Sequence, residues 1–476
     1  MLGGIQYAAG LRPGEDGATI DSNFQIKILD TNLIEPMELA VAPDGRVFYI
    51  ERAGKIKIYN PQTTSPITAG QISVFNKNED GLLGLALDPD FNKNHWIYLM
   101  YSPAGSTPKQ HVSRFTVAGD TVEMASEKVL LQIPTQRDQC CHSGGSLAFG
   151  PGGNLFISAG DNTSPFECDG FAPLDERPNR SAWDSQRTAG NANDLRGKIL
   201  RIHPEADGTY SIPNGNLFSK TNSLTKPEIY VMGCRNPFRI SVDPENGWLY
   251  WGDIGPDADA DNPRRGPRGH DEINQARSAG NYGWPYFLGN NKPYVKYDFG
   301  TSVTGQPFNP DKPENNSPNN TGPHSLPPAR GAWIWYPYGP SREFPEMGDT
   351  HNRTAMAGPI YHYNSNLVSA VKLPAYYDKT FFAYDPWRSS MVEVKLDDDG
   401  QVLKINPFLA AKPPHSPLDL ELGPDGALYW LDWKPPVLAL FKAEYVPGNN
   451  SPADRVEVVV DNAATNAVKE IGRAHV

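Results

Sequence analysis

Residues 146–161 read SLAFGPGGNLFISAGD, and this stretch decides the fold. A short apolar run ends in a Pro-Gly-Gly turn, and a second run, aromatic and aliphatic by turns, follows it. Pro presets φ for a turn, and Gly adopts the positive φ that comes next; in sister copies an Asp caps the turn through its side chain. Two runs of four to six residues on either side of such a turn predict a β-hairpin. The unit recurs as ELAVAPDGRVFYIER from Glu38, GLALDPDFNKNHWIYLMYS from Gly84, RISVDPENGWLYWGDIG from Arg239 and DLELGPDGALYWLDW from Asp419. A degraded copy lies between Pro359 and Asp385, where GPIYHY is followed by LPAYYDKTFFAYD.

One copy predicts only a hairpin, but six predict radial repetition of small sheets: an all-β, six-bladed β-propeller. The copies are unevenly spaced because insertions fall in the connections, where backbone polar groups meet water. Long Pro/Asn/Asp-rich insertions occupy residues 162–194, 253–279 and 301–353, and they are expected on one face, as the rim of a pocket at the central channel. The segment NFQIKILDT, starting at Asn23, is expected to join the last blade and close the ring, since closure removes exposed sheet edges. We expect the propeller over residues 23–445, an extension over 1–22, and linker or tail sequence over 446–476.

Composition agrees with a turn-rich β protein: 44 Gly, 45 Pro and an aromatic fraction of 11%. No long stretch spaces apolar residues at three and four, so helices should be few. The net charge of −12 comes without basic runs, which argues against nucleic-acid binding through phosphates. No run of about 18 apolar residues is present to span a membrane. The N-terminal MLGGIQYAAG lacks the basic start and apolar core of a signal peptide. The expectation is a periplasmic or secreted protein whose leader is absent from this chain. Four cysteines, Cys140, Cys141, Cys168 and Cys234, allow three full pairings, among which the sequence does not choose. One or two disulfides, or buried thiols, are all compatible. No C-x-x-C pair supports zinc, and Cys140-Cys141-His142 is not a haem-attachment motif.

Chemistry-bearing residues sit beside the repeat units. His142 precedes the third unit and Asp161 ends it; Arg235 and Asn236 precede the fourth, and Gly255 and Pro256 follow it. Asp271 and Glu272 come after an insertion. If the units are blades, these positions share one end of the channel. Each also has a structural reading: a strand-edge His, a turn-capping Asp, a salt-bridging Arg, a solvated acidic loop. Taken singly, none identifies an enzyme.

Together they form a pattern. HSGGSLAFGPGGNLFISAGD, GCRNPFRISVDPENGWLYWGDIGPD, DEINQARSAGNYGWPYFLG and EDGLLGLALDPDFNKNHWIYLMYS resemble the soluble pyrroloquinoline-quinone (PQQ)-dependent glucose/sorbosone and aldose sugar dehydrogenases, in the family's order and over residues 30–440. The details look like a bacterial sub-branch of these propellers. The resemblance implies a quinoprotein oxidoreductase that oxidises a sugar, sugar derivative or other polyol with PQQ and Ca²⁺, and passes electrons to an external acceptor such as a cytochrome. It implies His142 as the base for the substrate hydroxyl and Asp161 as the carboxylate beside it. Arg235 and Asn236 would lie at the reactive quinone oxygen, and the main-chain carbonyls of Gly255 and Pro256 would hold calcium. Glu79 stands where the family often has a cofactor-contacting Gln, and Arg388 matches a family Lys.

The chemistry is coherent. A cation beside the quinone oxygen stabilises developing charge, calcium prefers oxygen donors, and a His with a nearby Asp is the usual base for a hydroxyl. One departure stands out: Ser416 and Leu418 occupy the places of an R-x-R pair that binds the cofactor's carboxylates, which predicts weaker cofactor binding. Two other readings remain. One is a calcium-retaining propeller that binds carbohydrate or protein without catalysis. The other is a calcium-dependent lactonase using the carboxylates of GDIGPDADAD.

Overall fold

The computed structural model describes residues 23–31, 33–410, 413–434 and 438–446. The expected extension over 1–22 and the tail from 447 onward lie outside the described residues. Six four-stranded antiparallel units make the propeller. Blade 1 runs Pro36–Val41, Val47–Glu51, Lys55–Asn60 and Ser65–Gln71, from the channel outward. Blade 2 runs Leu82–Leu87, Trp96–Tyr101, Lys109–Ala118 and Thr121–Pro134. Blade 3 is Gly144–Gly150, Asn154–Ala159, Lys198–Pro204 and Ile229–Met232, extended by the parallel pairing of Gly280–Asn281. Blade 4 is Pro237–Val242, Leu249–Asp253, His270–Ala276 and Ile334–Pro337, and blade 5 is Met356–Tyr361, Thr380–Asp385, Ser390–Leu396 and Val402–Phe408. Blade 6 takes Pro417–Leu422, Leu428–Asp432 and Ala439–Tyr445, and its outermost strand is Phe24–Asp30.

That last pairing closes the ring as expected, with Phe24 opposite Tyr445 and Ile28 opposite Phe441. Phe24 is buried, its ring edge-on to Tyr377, Phe408 and Tyr445 at centroid distances of 6.0, 5.4 and 5.5 Å. The first strand therefore binds blade 6 through its backbone and blade 5 through one aromatic side chain. Among the described residues the one α-helix is Phe91–Asn94, and no helix is long and apolar enough to cross a membrane.

The Pro-Asp-Gly hairpins join the first and second strands of the blades. Gly45, Gly153, Gly247 and Gly426 take φ values of 72–87°, the role the repeat assigns them. Because those two strands are antiparallel, the start of each innermost strand and the end of each second strand share the opposite end of the channel. Mid-channel, buried Arg239 donates to the carbonyls of Leu418 and Met37, while Glu38 accepts from Leu85 N and Ser146 Oγ and Asp419 accepts from Leu39 N. This network crosses between blades 1, 2, 3, 4 and 6. A buried polar group without partners costs stability, and here each is paired.

The three insertions meet at the end away from the hairpins. Ser317 Oγ donates to Asp184 at 2.6 Å, Asn315 Nδ2 to Gln186 O at 2.7 Å, and Ala258 N to Gly170 O at 2.9 Å. They form the expected rim.

Candidate active site

A carboxylate recurs at the end of the second strand. Asp253 accepts the N–H groups of Arg235 and Asn236, and Asp432 those of His415 and Ser416; in each case the bonds pin the entry to the blade's innermost strand. In register with these, opposite the first innermost residue, blade 3 carries Ala159. Its carboxylate comes two residues later, at Asp161, on the same face by strand alternation. Displaced from the pinning position, it holds a side chain instead.

That side chain is His142. Its Nδ1 lies 2.9 Å from Asp161 Oδ1, and both residues are buried. Asp161 is anchored by Thr163 N at 3.1 Å, Ser185 Oγ at 2.7 Å and Trp284 Nε1 at 2.8 Å, while its own N–H donates to Arg235 O in the neighbouring blade. Burial alone would raise the Asp161 pKa; His142, Ser185 and Arg235 together hold it below the ordinary carboxylate range. Burial, and then Arg235, lower the pKa of His142. The imidazole is therefore neutral at pH 7. Since the ionised carboxylate only accepts, the proton sits on Nδ1 and Nε2 carries the lone pair. Nε2 is buried and has no hydrogen-bond partner.

Two further polar atoms are gathered around the same segment. Glu79 Oε2 accepts from Ser143 N at 3.0 Å, leaving Oε1 unpartnered. Asn236 Oδ1 accepts from Gly144 N at 3.0 Å, leaving Nδ2 unpartnered. Burial pushes the Glu79 carboxyl up to about 8, so it is largely protonated at neutral pH. Arg235 Nη1 donates to Ile254 O at 2.9 Å, and its guanidinium lies 5.9 Å from the Trp284 ring. Three buried polar atoms without protein partners are thus gathered around residues 142–144, where they leave hydrogen-bonding capacity for a polar ligand.

With that geometry, the sequence relationships decide the family. Residues 33–332 match the family described as glucose/sorbosone dehydrogenase. The chain belongs to this family. Quinoprotein glucose dehydrogenase B of Acinetobacter calcoaceticus is 30% identical over 292 residues, covering 59% of this chain and 56% of that protein. Aldose sugar dehydrogenase YliI of Escherichia coli is 28% identical over 268 residues, covering 56% of this chain and 62% of that protein. The match thus spans less than two thirds of either relative. The PQQ-bound form of an aldose sugar dehydrogenase from Streptomyces coelicolor shares the fold, with a TM-score of 0.56 and 18% identity over 88% of this chain and 98% of that one.

Within the family frame, His142, Asp161, Arg235, Asn236 and Glu79 come together. Arg388 does not join them. Its guanidinium donates to the carbonyls of Asn352, Met347, Gly348, Pro337 and Gly339 and approaches Asp385, so its donors tie a loop down and are not available to a cofactor. Ser416 Oγ donates to Pro386 O, and Leu418 packs in the core. Among the described residues, Ser416, Leu418 and Arg388 thus offer no free cation at the place of the family's carboxylate-binding pair, while Arg235, Asn236, Glu79 and His142 gather where the resemblance places the quinone.

Calcium does not fit. The Pro256 oxygen accepts a hydrogen bond from Arg353 Nη2, and Asp271 accepts from Gly255 N, Ala355 N and Arg353 Nη1. Calcium needs six to eight oxygen ligands, and these oxygens already face nitrogen donors. An ion expected on the Gly255 and Pro256 carbonyls would have to displace Arg353 from the Pro256 oxygen. Glu272 is structural, accepting from Gly289 N and Asn274 Nδ2.

Cys140 and Cys141 form a disulfide directly before His142, and Cys168 and Cys234 are buried thiols. Glu79 lies with the two sulfurs within 4.8 Å of one another, but sulfurs bonded to each other are not thiolate ligands.

The structure adds Ser185, Trp284 and Arg353 to the site. Ser185 and Trp284 lie in connections, where no strand periodicity marks them. Arg353 does carry a signal: it stands three residues before an innermost strand, much as His142 and Arg235 stand two residues before theirs. The degraded fifth repeat hides it.

Proposed function

We propose that the protein is a quinoprotein oxidoreductase that uses PQQ to oxidise a sugar, sugar derivative or other polyol. The observation that carries this reading is the unpartnered Nε2 of a neutral His142 whose other nitrogen is held by a buried, anchored Asp161. Nε2 accepts the proton of the substrate hydroxyl as hydride leaves the adjacent carbon. Asp161 fixes the tautomer and stabilises the imidazolium that forms, and Ser185, Trp284 and Thr163 N keep Asp161 in place. Arg235 and Asn236, with Glu79, would hold the cofactor, which supplies the hydride acceptor when bound. No step calls on calcium.

Electrons then leave to an external acceptor such as a cytochrome. The protein works in the periplasm or outside the cell, a setting that the Cys140–Cys141 disulfide suits.

One observation favours a second reading. With Arg388 engaged by carbonyls and Ser416 and Leu418 uncharged, a tricarboxylate cofactor has few partners, as in a propeller that binds carbohydrate or protein without catalysis. Purified protein is mixed with PQQ and tested for dye reduction across a panel of sugars, alongside His142→Ala. Reduction by wild type and not by the variant supports the dehydrogenase; sugar binding with no reduction at saturating PQQ supports the binding module.

A further inference from the structure

The strongest unassigned feature is the surroundings of Arg353. Its side chain is 1% exposed. Nη1 meets Asp271, whose side chain is 0% exposed, and Nη2 meets the Pro256 carbonyl. The guanidinium also faces the Tyr338 ring, 4.1 Å from its centroid, while Nε is buried without a partner. Burial is the first cause that draws the Arg353 pKa down to about 9, which still leaves it charged at pH 7.

The backbone packs closely around this group. A Cβ at Gly269 would stand 2.6 Å from Nη2 and collide with Pro256 O, and one at Gly255 would stand 3.3 Å from Nη1 and collide with His270 O. The close backbone approach at these two positions requires glycine, and at Gly269 a side chain would also crowd the guanidinium. Asp271 adds the complementary charge and is oriented by Gly255 N at 2.9 Å and Ala355 N at 2.8 Å. Elements from blade 4, from its long connection and from the entry to blade 5 thus converge on one positive charge.

We propose that Arg353 is the chain's own cation at the Gly255–Pro256 turn, standing where the family resemblance calls for calcium, and that the wild-type site takes no calcium. A planar guanidinium matches this arrangement, because it donates to a carboxylate and a carbonyl at the same time. A divalent ion would instead require both oxygens to turn from nitrogen donors, beside a fixed positive charge. The proposal concerns the turn alone and holds whether or not the protein is a sugar dehydrogenase.

Two measurements test it, neither involving quinone or sugar. Crystals of the wild type soaked in CaCl₂ are expected to show the guanidinium on Pro256 O and no anomalous peak within bonding distance of the Gly255 or Pro256 carbonyl. An ion there, with Arg353 displaced, overturns the proposal. In solution, wild type and Arg353→Ser are stripped with EGTA and titrated with CaCl₂ by calorimetry and by melting temperature. The variant, left with an uncompensated Asp271, is expected to take up one more ion than the wild type and to gain several degrees in Tm with millimolar calcium. Equal uptake by the two proteins overturns the proposal. If Arg353→Ser does not fold, Arg353→Gly/Asp271→Asn, which removes both charges, serves as the folded control, and the soaked wild-type crystal decides alone.

Discussion

His142 Nδ1 stands 2.9 Å from Asp161 Oδ1, across the open end of a single hairpin, 19 positions apart in the chain. In blades 4 and 6 the carboxylate at the second strand's end pins backbone N–H groups. In blade 3 it is shifted by two residues and pins an imidazole, which turns a repeated structural device into a base held in one tautomer.

Replacing His142 with Ala should lower turnover by roughly two to four orders of magnitude, the usual contribution of a positioned base. Stability should fall by only about 1–3 kcal/mol, because Asp161 loses one of four partners. Turnover and urea denaturation measured on the same preparation separate the two effects; a destabilised variant with wild-type turnover per folded molecule would refute the catalytic role.

The pH profile should carry a low-lying acid limb. Burial and Arg235 lower the His142 pKa, so the neutral base persists below the ordinary value of about 6.5. Activity should be lost only as pH falls through that depressed pKa. An acid limb at or above 6.5 in kcat/KM would contradict the assignment.

Glu79 predicts a slope in stability. Its carboxyl is held protonated up to about 8 in the fold, against 4.5 for the ordinary group, so the native state binds the extra proton between those values. Stability from this group is present below about 4.5 and is lost as pH rises towards 8. Glu79→Gln keeps the shape without the ionisation, so its melting temperature should exceed that of wild type increasingly from pH 5 to pH 8. Parallel curves would show that Glu79 does not titrate there.

Affinity for PQQ should be weak relative to dehydrogenases that carry the R-x-R pair. Ser416 and Leu418 supply no charge and Arg388 is engaged by main-chain oxygens. Equilibrium dialysis of the stripped protein measures this directly; tight binding would require another basic group, Arg235 or Arg353, to take the carboxylates.

Phe24→Ala should cost about 3–5 kcal/mol, the range for emptying a buried aromatic site. It should leave turnover per folded molecule unchanged, since Phe24 seals blade 6 to blade 5 away from His142. Equal denaturation midpoints for variant and wild type would show that the closing strand adds little.

The repeat in this sequence determined the number of blades, the closing strand and the end of the channel where chemistry collects. A hairpin is a local object, and its turn residues and strand pattern lie within some fifteen consecutive positions. By the same logic His142, Asp161, Arg235 and Asn236 were legible, because each flanks a repeat unit. What only the tertiary structure decided is the charge around them. Arg353 meets Pro256 across 97 residues and Trp284 meets Asp161 across 123, contacts that exist once the ring closes and the long connections fold back over it. Arg388 shows the reverse case: its place in the chain matched a ligand, but the loop carbonyls around it engage the donors that a cofactor would have needed. Short-range turn chemistry is written residue by residue; which cation faces which oxygen is settled by packing between segments that the sequence holds far apart.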